Sequence, residues 1–301
     1  MPQEKTGADP LSPSPARVWN YWVGGRENFA ADRAVAERIL DVLPEVAVVA
    51  RMTRGYLART VEFLAGEHGI TQFLDIGSGL PTAQNTHEVA QSVAPSSRVV
   101  YVDNDRAAIR YAEALLGSTP GGSLDYLEAD LRDPESILKG AARTLDFSLP
   151  VAVLLIQVLH FIQDAEDPYG LVARLMAGVA PGSVLVIVHA PSDVGAEVGA
   201  EIKARYNRAM EQQVRFRDRD EVARFFDGLE LLGDGVTSGR GWSLARGGAR
   251  HSATSGLAAQ IRLGAGAAAA ARLADTDGMS FGYTGIGRKN LAGRPRAGEG
   301  S

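Results

Sequence analysis

No cysteine occurs anywhere in the 301 residues. That excludes disulfides, zinc–thiolate centres and thiol nucleophiles together. No apolar run reaches the length needed to cross a membrane. No His-x-x-x-His or clustered acid–histidine spacing points to a metal, and the Gly-x-Ser-x-Gly elbow of a hydrolase is missing too. Positive charge is not in excess: the formal net charge is −5, which argues against broad binding to nucleic acid or to an anionic membrane. Met1 to Pro15 is polar and Pro-rich, without the basic-then-apolar layout of a signal peptide. The expectation is a soluble, cytoplasmic protein. With 45% hydrophobic and 22% charged residues, the chain can bury one large α/β core with appendages, or two small ones.

What is present is organised around Gln72-Phe73-Leu74-Asp75-Ile76-Gly77-Ser78-Gly79-Leu80-Pro81-Thr82. Phe73, Leu74 and Ile76 read as a buried strand that breaks at two glycines and feeds a helix through Asn85 to Ala94. Such a turn lets a ligand approach bare backbone at the carboxyl end of a parallel sheet. A glycine pair alone is common in αβ turns. Here an acid sits inside the strand, Thr82 leaves the Gly-x-Gly-x-x-Gly dinucleotide fingerprint incomplete, and no P-loop Gly-Lys-Ser/Thr follows. These details favour a nucleoside ligand without a pyrophosphate, with S-adenosylmethionine the obvious candidate. Thr82 also weighs against a nicotinamide-dependent oxidoreductase.

Upstream, Met1 to Pro15 reads as a disordered tail, and residues 16–70 as a helical extension. In Ala16 to Phe29, a short amphipathic helix ends at Gly24-Gly25; Val18, Tyr21 and Trp22 either dock on a core or form a lid over a ligand. Helices follow at Asp32–Leu43 and Val46–Ala65, broken at Pro44. Val46, Val49, Thr53, Tyr56, Thr60 and Phe63 mark a face of the second; Arg51, Arg54 and Arg59 are most simply solvated charges, with Arg54 the one to consider against a ligand carboxylate.

From Thr71, strands at Phe73–Ile76, Arg98–Asp103, Leu124–Ala129, Val151–Ile156 and Val184–His189 alternate with helices at Asn85–Ala94, Asp105–Leu116, Pro134–Ala142 and Pro168–Val179. Asp133-Pro134 and Asp167-Pro168 each read as an N-cap followed by a first-turn proline. The alternation predicts an open, doubly wound, mainly parallel sheet with its ligand crevice at the strands' carboxyl ends. Asp193–Val214 reads as a helix, and Asp218 opens another that runs to Phe226. Leu229–Leu232 and Ser280–Gly287 read as further strands. Residues 237–279 are irregular, with a short helix at Ala265–Leu273, and 290–301 form a second disordered tail.

Strand ends are where ligand-reading groups belong. Asp103 ends the second strand roughly 25–30 residues after the glycine turn, near the distance at which an acid accepts from ribose hydroxyls. Asp130 follows the third strand and is placed to accept from an adenine amino group. Either acid alone is as readily a cap or a solvated turn; Asp75, Asp103 and Asp130 at three successive strand ends are less easily chance. A carboxylate lining also suits a sulfonium, whose methyl transfer rests largely on positioning. If the acceptor is a hydroxyl, a base helps. His160, past the fourth strand, is the candidate, although a hydrogen-bonded histidine at such a corner is equally ordinary. His189 is a weaker second candidate, and His87 reads as a first-turn helix residue. Tyr21, Asn28 and His160 are the expected contacts facing the sulfur.

With these residues in hand, the chain resembles the actinobacterial S-adenosylmethionine-dependent methyltransferases once grouped as DUF574 (methyltransferase type 19). The resemblance rests on Ala16-Arg17-Val18-Trp19-Asn20-Tyr21, on Gly24-Gly25-Arg26-Glu27-Asn28-Phe29-Ala30-Ala31-Asp32-Arg33 and on Gln72 to Thr82. It continues through Asn85-Thr86-His87-Glu88-Val89-Ala90 and Val99-Val100-Tyr101-Val102-Asp103-Asn104-Asp105. It implies a Rossmann-like class I methyltransferase fold, a seven-stranded sheet whose last strand is antiparallel, within residues 71–289. It also implies cofactor contacts at Asp75, Gly77, Gly79, Asp103 and Asp130, with Asn104, Leu131 and Gln157 alongside and Ser78 inside the turn. The expected partner is a small-molecule methyl acceptor, possible secondary metabolites included, and no nucleic acid: Gln157-Val158-Leu159-His160 stands where a base-flipping methylase carries an Asn/Asp-Pro-Pro-aromatic loop. The other reading keeps the fold without catalysis, as a cofactor-binding sensor.

Overall fold

The computed structural model describes residues 9–193, 196–238 and 282–290. Three helices come first: α1 (Pro15–Trp22), α2 (Ala30–Leu40) and α3 (Val46–Gly66). Then strands and helices alternate: β1 (Gln72–Ile76), α4 (Thr86–Val93), β2 (Arg98–Asp103), α5 (Arg106–Leu115), β3 (Ser123–Glu128), α6 (Pro134–Ala141), β4 (Ala152–Ile156), α7 (Pro168–Ala177) and β5 (Val184–His189). The described chain closes with α8 (Ala196–Ala209), α9 (Arg219–Ala223), β6 (Leu229–Leu231), β7 (Thr237–Ser238) and β8 (Tyr283–Lys289).

The strands form one sheet in the order β3-β2-β1-β4-β5-β8-β6, with the two-residue β7 also on β8. β1 to β5 run parallel, and β8 is antiparallel to both β5 and β6. Sequence order reverses between β1 and β4, so their carboxyl ends splay at a switch point, the usual ligand crevice of such sheets. The sheet thus has eight described strands rather than seven, because β7 adds a short rung beside β8. The strand expected from Ser280 starts at Tyr283, and Ser280 lies outside the described residues, as do the helix read at Ala265–Leu273 and the tail beyond Asn290.

The pleat sorts the strand residues between two cores. Leu74, Ile76, Val100, Val102, Val153 and Leu155 pack with Ile137, Leu171, Leu175 and Phe225. Their alternates Phe73, Val99, Tyr101, Ala152 and Leu154 pack with Tyr56, Leu57, Val61 and Leu64 of α3. Period-2 alternation therefore puts Asp75 on the face shared with α3 and α4. A third cluster joins Val18 and Trp22 of α1, Val35 and Ile39 of α2, Val46 of α3, and Tyr206, Met210 and Val214 around the end of α8.

Local chemistry sets the helix ends. Asp105, Asp133, Asp167 and Asp218 each accept backbone N–H groups as N-caps. α2 begins at Ala30, ahead of the expected Asp32, because Asp32 reaches back to the Phe29 N–H at 2.7 Å. α8 stops at Ala209, short of the expected Val214, where the Asn207 side chain turns the chain by accepting from the Val214 N–H at 2.8 Å. Among the described residues no helix is long and apolar enough to cross a membrane.

Candidate active site

A cavity of about 510 Å³ lies against the carboxyl ends of the parallel strands, within the range of roughly 300–1,000 Å³ usual for small-molecule sites. Its floor is the strand ends: Asp75, Ile76, Gly77, Ser78 and Gly79 after β1, Asp103 and Asn104 after β2, Asp130 and Leu131 after β3, and Gln157 after β4. Its cover is helical, with Trp19 and Trp22 from α1, Val49 and Arg54 from α3, and Ile202 and Tyr206 from α8.

The floor is built from turns that few residues other than glycine adopt. Gly77 and Gly79 have φ of +74° and +64°, the left-handed region. A Cβ on Gly77 would lie 2.5 Å from Val158 Cγ2, so the turn after β4 also forbids a side chain there. Gln157 holds φ +57°, uncommon for a residue with a side chain and typical of functional corners. The Gly79 N–H donates to Asp103 Oδ2 and the Asp105 N–H to Asp103 Oδ1, both at 2.8 Å. Burial pushes the Asp103 carboxyl up to about 6, against the pull of those two N–H bonds. Asp75 is raised as well, by burial first, while the Thr86 hydroxyl (2.6 Å) and Arg54 oppose the shift.

Arg54 supplies the cavity with a half-buried cation. One Nη2–H reaches the Gln84 carbonyl at 3.2 Å, whereas Nε is buried without a partner. Burial lowers its pKa, and Asp75 is the first group to oppose this. An orphaned guanidinium donor beside an acid is a fitting seat for an α-amino-acid head, its carboxylate on Arg54. Asp130, 36% exposed, is more committed than its position predicts. It accepts from Asn104 Nδ2 and from the Arg132 N–H, both at 2.9 Å. Burial works against its ionisation, but these donors and the Arg132 charge outweigh it and hold the pKa below the usual value. Asn104 is exposed at the rim and Leu131 is buried in the floor.

Of the three residues expected to face the sulfur, only His160 lines the cavity. Tyr21 points away on α1 and donates to Glu37 at 3.2 Å; the helical phase gives the cavity face to Trp19, Asn20 and Trp22 instead. Asn28 is buried beneath the cover, donating to Asn20 Oδ1 (2.9 Å) and the Gly25 carbonyl (3.0 Å). It braces Asn20 rather than meeting a ligand. His160 is buried, and its Nδ1 has no partner. Burial first, and then Arg217, lower its pKa to about 3, so the ring is neutral.

Arg217 carried no signal in the sequence, yet it is fully buried beside this corner. It donates to the Leu159 and Ile162 carbonyls at 3.0 and 2.9 Å and to Asp164 Oδ1 at 2.9 Å. Its Nη1 also lies 3.1 Å from His189 Nε2. His189 Nδ1 faces the Ala190 carbonyl at 2.8 Å, so the proton sits on Nδ1 and Nε2 accepts from Arg217. Both His189 nitrogens are thereby occupied away from the cavity, which removes it as a second base. His87 is likewise engaged, with Tyr101 Oη at 3.0 Å.

The start of the chain is tied to the same floor. Ser14 Oγ donates to Asp105 Oδ2 at 2.7 Å rather than capping its own helix. Asp32, fully buried, accepts from Arg17 Nε (2.8 Å) and from the N–H groups of Ser14 (2.9 Å) and Phe29 (2.7 Å). The end of the stretch read as a disordered tail is therefore fixed where α1 begins.

The profile of a family described as S-adenosyl methyltransferase matches residues 2–271. A DUF574 family protein from Streptomyces avermitilis is 35% identical, with a TM-score of 0.79 over 92% of this chain and 98% of its own. A candidate methyltransferase from Thermobifida fusca is also 35% identical, with a TM-score of 0.76 over 93% of this chain and 96% of its own. A comparison with curated proteins finds no match. The strand-end acids, the glycine turn and the orphaned guanidinium fit a nucleoside joined to an amino acid, and with that agreement the chain belongs to the S-adenosyl methyltransferase family, whose members use S-adenosylmethionine as methyl donor.

Proposed function

We propose that this methyltransferase acts on a small molecule, with the donor on the strand ends and the acceptor under the helical cover. One observation carries the reading: the cavity runs without interruption from the strand-end acids to a cover made by α1, α3 and α8. A roofed cavity of this kind admits a compact acceptor more readily than a polymer, and the net charge of −5 offers no general attraction for nucleic acid.

Asp103 accepts from the ribose hydroxyls in this reading. Its two backbone bonds leave lone-pair sites free, since a carboxylate offers about four. Leu131 gives the adenine an apolar platform, with Asp130 and Asn104 at its edge. Gly77, Ser78 and Gly79 allow close backbone approach, Gln157 closes the floor after β4, and Arg54 with Asp75 takes the amino-acid end. S-adenosylmethionine, when bound, supplies an electrophilic methyl on a sulfonium. The protein's own work is then orientation and exclusion of water. His160 orients the acceptor through a neutral ring; burial and the nearby guanidinium oppose the positive charge that a general base acquires.

Methyl-labelled S-adenosylmethionine incubated with the enzyme and an actinobacterial extract, split by ultrafiltration, tests the reading. Label moving into the small-molecule fraction is expected. Label found only on protein or nucleic acid, or transferred to neither fraction, would overturn it.

A further inference from the structure

Resting on the reading of the covered half as the acceptor site, we infer that it is built for an uncharged aromatic molecule: a planar ring system whose polar substituents are neutral. Its walls are aromatic. Tyr206, Phe161, His160 and Phe216 follow one another with ring centroids 6.3, 4.2 and 6.3 Å apart, and Trp19 and Trp22 of α1 stand edge-to-face at 6.0 Å. All six line the cavity. Five belong to the third hydrophobic cluster or pack on it. Protein cores of this composition normally close to crystal-like density. A cluster that keeps a cavity between its aromatic residues is shaped for an apolar guest that offers ring faces and edges of its own.

Charge narrows the class. Among the described residues, the helical cover brings only Glu45 and Arg54 to the cavity as charged side chains, and Arg54 is the seat read above for the donor's own carboxylate. An anionic acceptor would face Glu45 and the strand-end acids. A cationic one would leave water for an aromatic wall with the buried Arg217 charge behind it, and among the described residues the cover offers it one acid, Glu45. Neutral polar groups are served: Tyr206 Oη and His160 Nδ1 are buried atoms without a protein partner, on residues that line the cavity. A hydroxyl or amide on the guest would satisfy either one.

Calorimetric titration with 1-naphthol, 1-naphthoate and 1-naphthylmethylammonium decides it, on the protein alone and saturated with S-adenosylhomocysteine. 1-Naphthol is expected to bind the loaded protein about tenfold or more tightly than either charged probe, the desolvation difference being of that order at least. Ile202→Asp, at a half-buried lining position on α8, should remove naphthol binding and leave S-adenosylhomocysteine affinity within about twofold. Trp19→Ala gives the same reading if the first variant does not fold. A charged probe binding as tightly as naphthol, or no naphthol binding to a protein that takes up S-adenosylhomocysteine, would overturn the inference. Naphthol bound by a protein that takes up no S-adenosylhomocysteine would leave it standing and overturn the cofactor assignment instead.

Discussion

Asp103 shows what one buried carboxylate can report. Burial lifts its pKa to about 6, above the usual carboxylate value near 4. The folded protein thus keeps a proton that the unfolded chain releases, so this group's contribution to stability is complete below about pH 4 and lost as pH rises through about 6. Ligand binding runs the other way, because hydroxyl donors need the ionised form. S-adenosylhomocysteine affinity should fall about tenfold between pH 7.5 and pH 5, as measured by calorimetry, and Asp103→Asn should bind weakly with little pH dependence. Arg54 permits a sharper separation. Arg54→Ala should weaken S-adenosylhomocysteine by about 1.5–3 kcal/mol, the value of a charged hydrogen bond. Methylthioadenosine, which lacks the amino-acid head, should lose almost nothing. Equal losses for both ligands would place Arg54 elsewhere in the site. At this scale the acids were legible because a strand end is a fixed address. Tyr21 was not, since one residue along a helix turns a side chain by about 100°, and only packing shows that Asn20 rather than Tyr21 faces the cavity.

Between elements, the joint that matters is α1 with α2. Asp32 is fully buried and gathers Arg17, Ser14 and Phe29. Asp32→Ala should therefore lower stability by about 3–5 kcal/mol in urea unfolding, because it leaves Arg17 buried without its counter-charge. The same variant should weaken S-adenosylhomocysteine, since Ser14 would lose one of the two ties that hold the start of α1 beside Asp105. Unchanged stability would make this ion pair dispensable. Helix starts were readable from Asp105, Asp133, Asp167 and Asp218, whose caps are local chemistry. The slot of β8 between β5 and β6 was not, because strand order depends on long-range pairing that no local pattern encodes.

At the scale of the whole molecule, the cavity lies where the sheet and the helical cover meet, so a bound ligand ties them together. Saturation with S-adenosylhomocysteine at about 100 times its Kd should add about 2.7 kcal/mol. For a chain of 301 residues that corresponds to a rise in Tm of about 4 °C in scanning calorimetry. A shift confined to part of a split transition would show that the cover unfolds independently of the sheet.

Taken alone, the sequence determined the alternating strands and helices, the glycine turn and the acids at Asp75, Asp103 and Asp130. Each depends on backbone period, cap chemistry or steric allowance within a few residues. Only the tertiary structure decided what stands over those acids: the aromatic cover, the neutral state of His160 and the burial of Arg217. These rest on side chains as far apart as Trp19 and Phe216, brought together by packing that no local rule specifies.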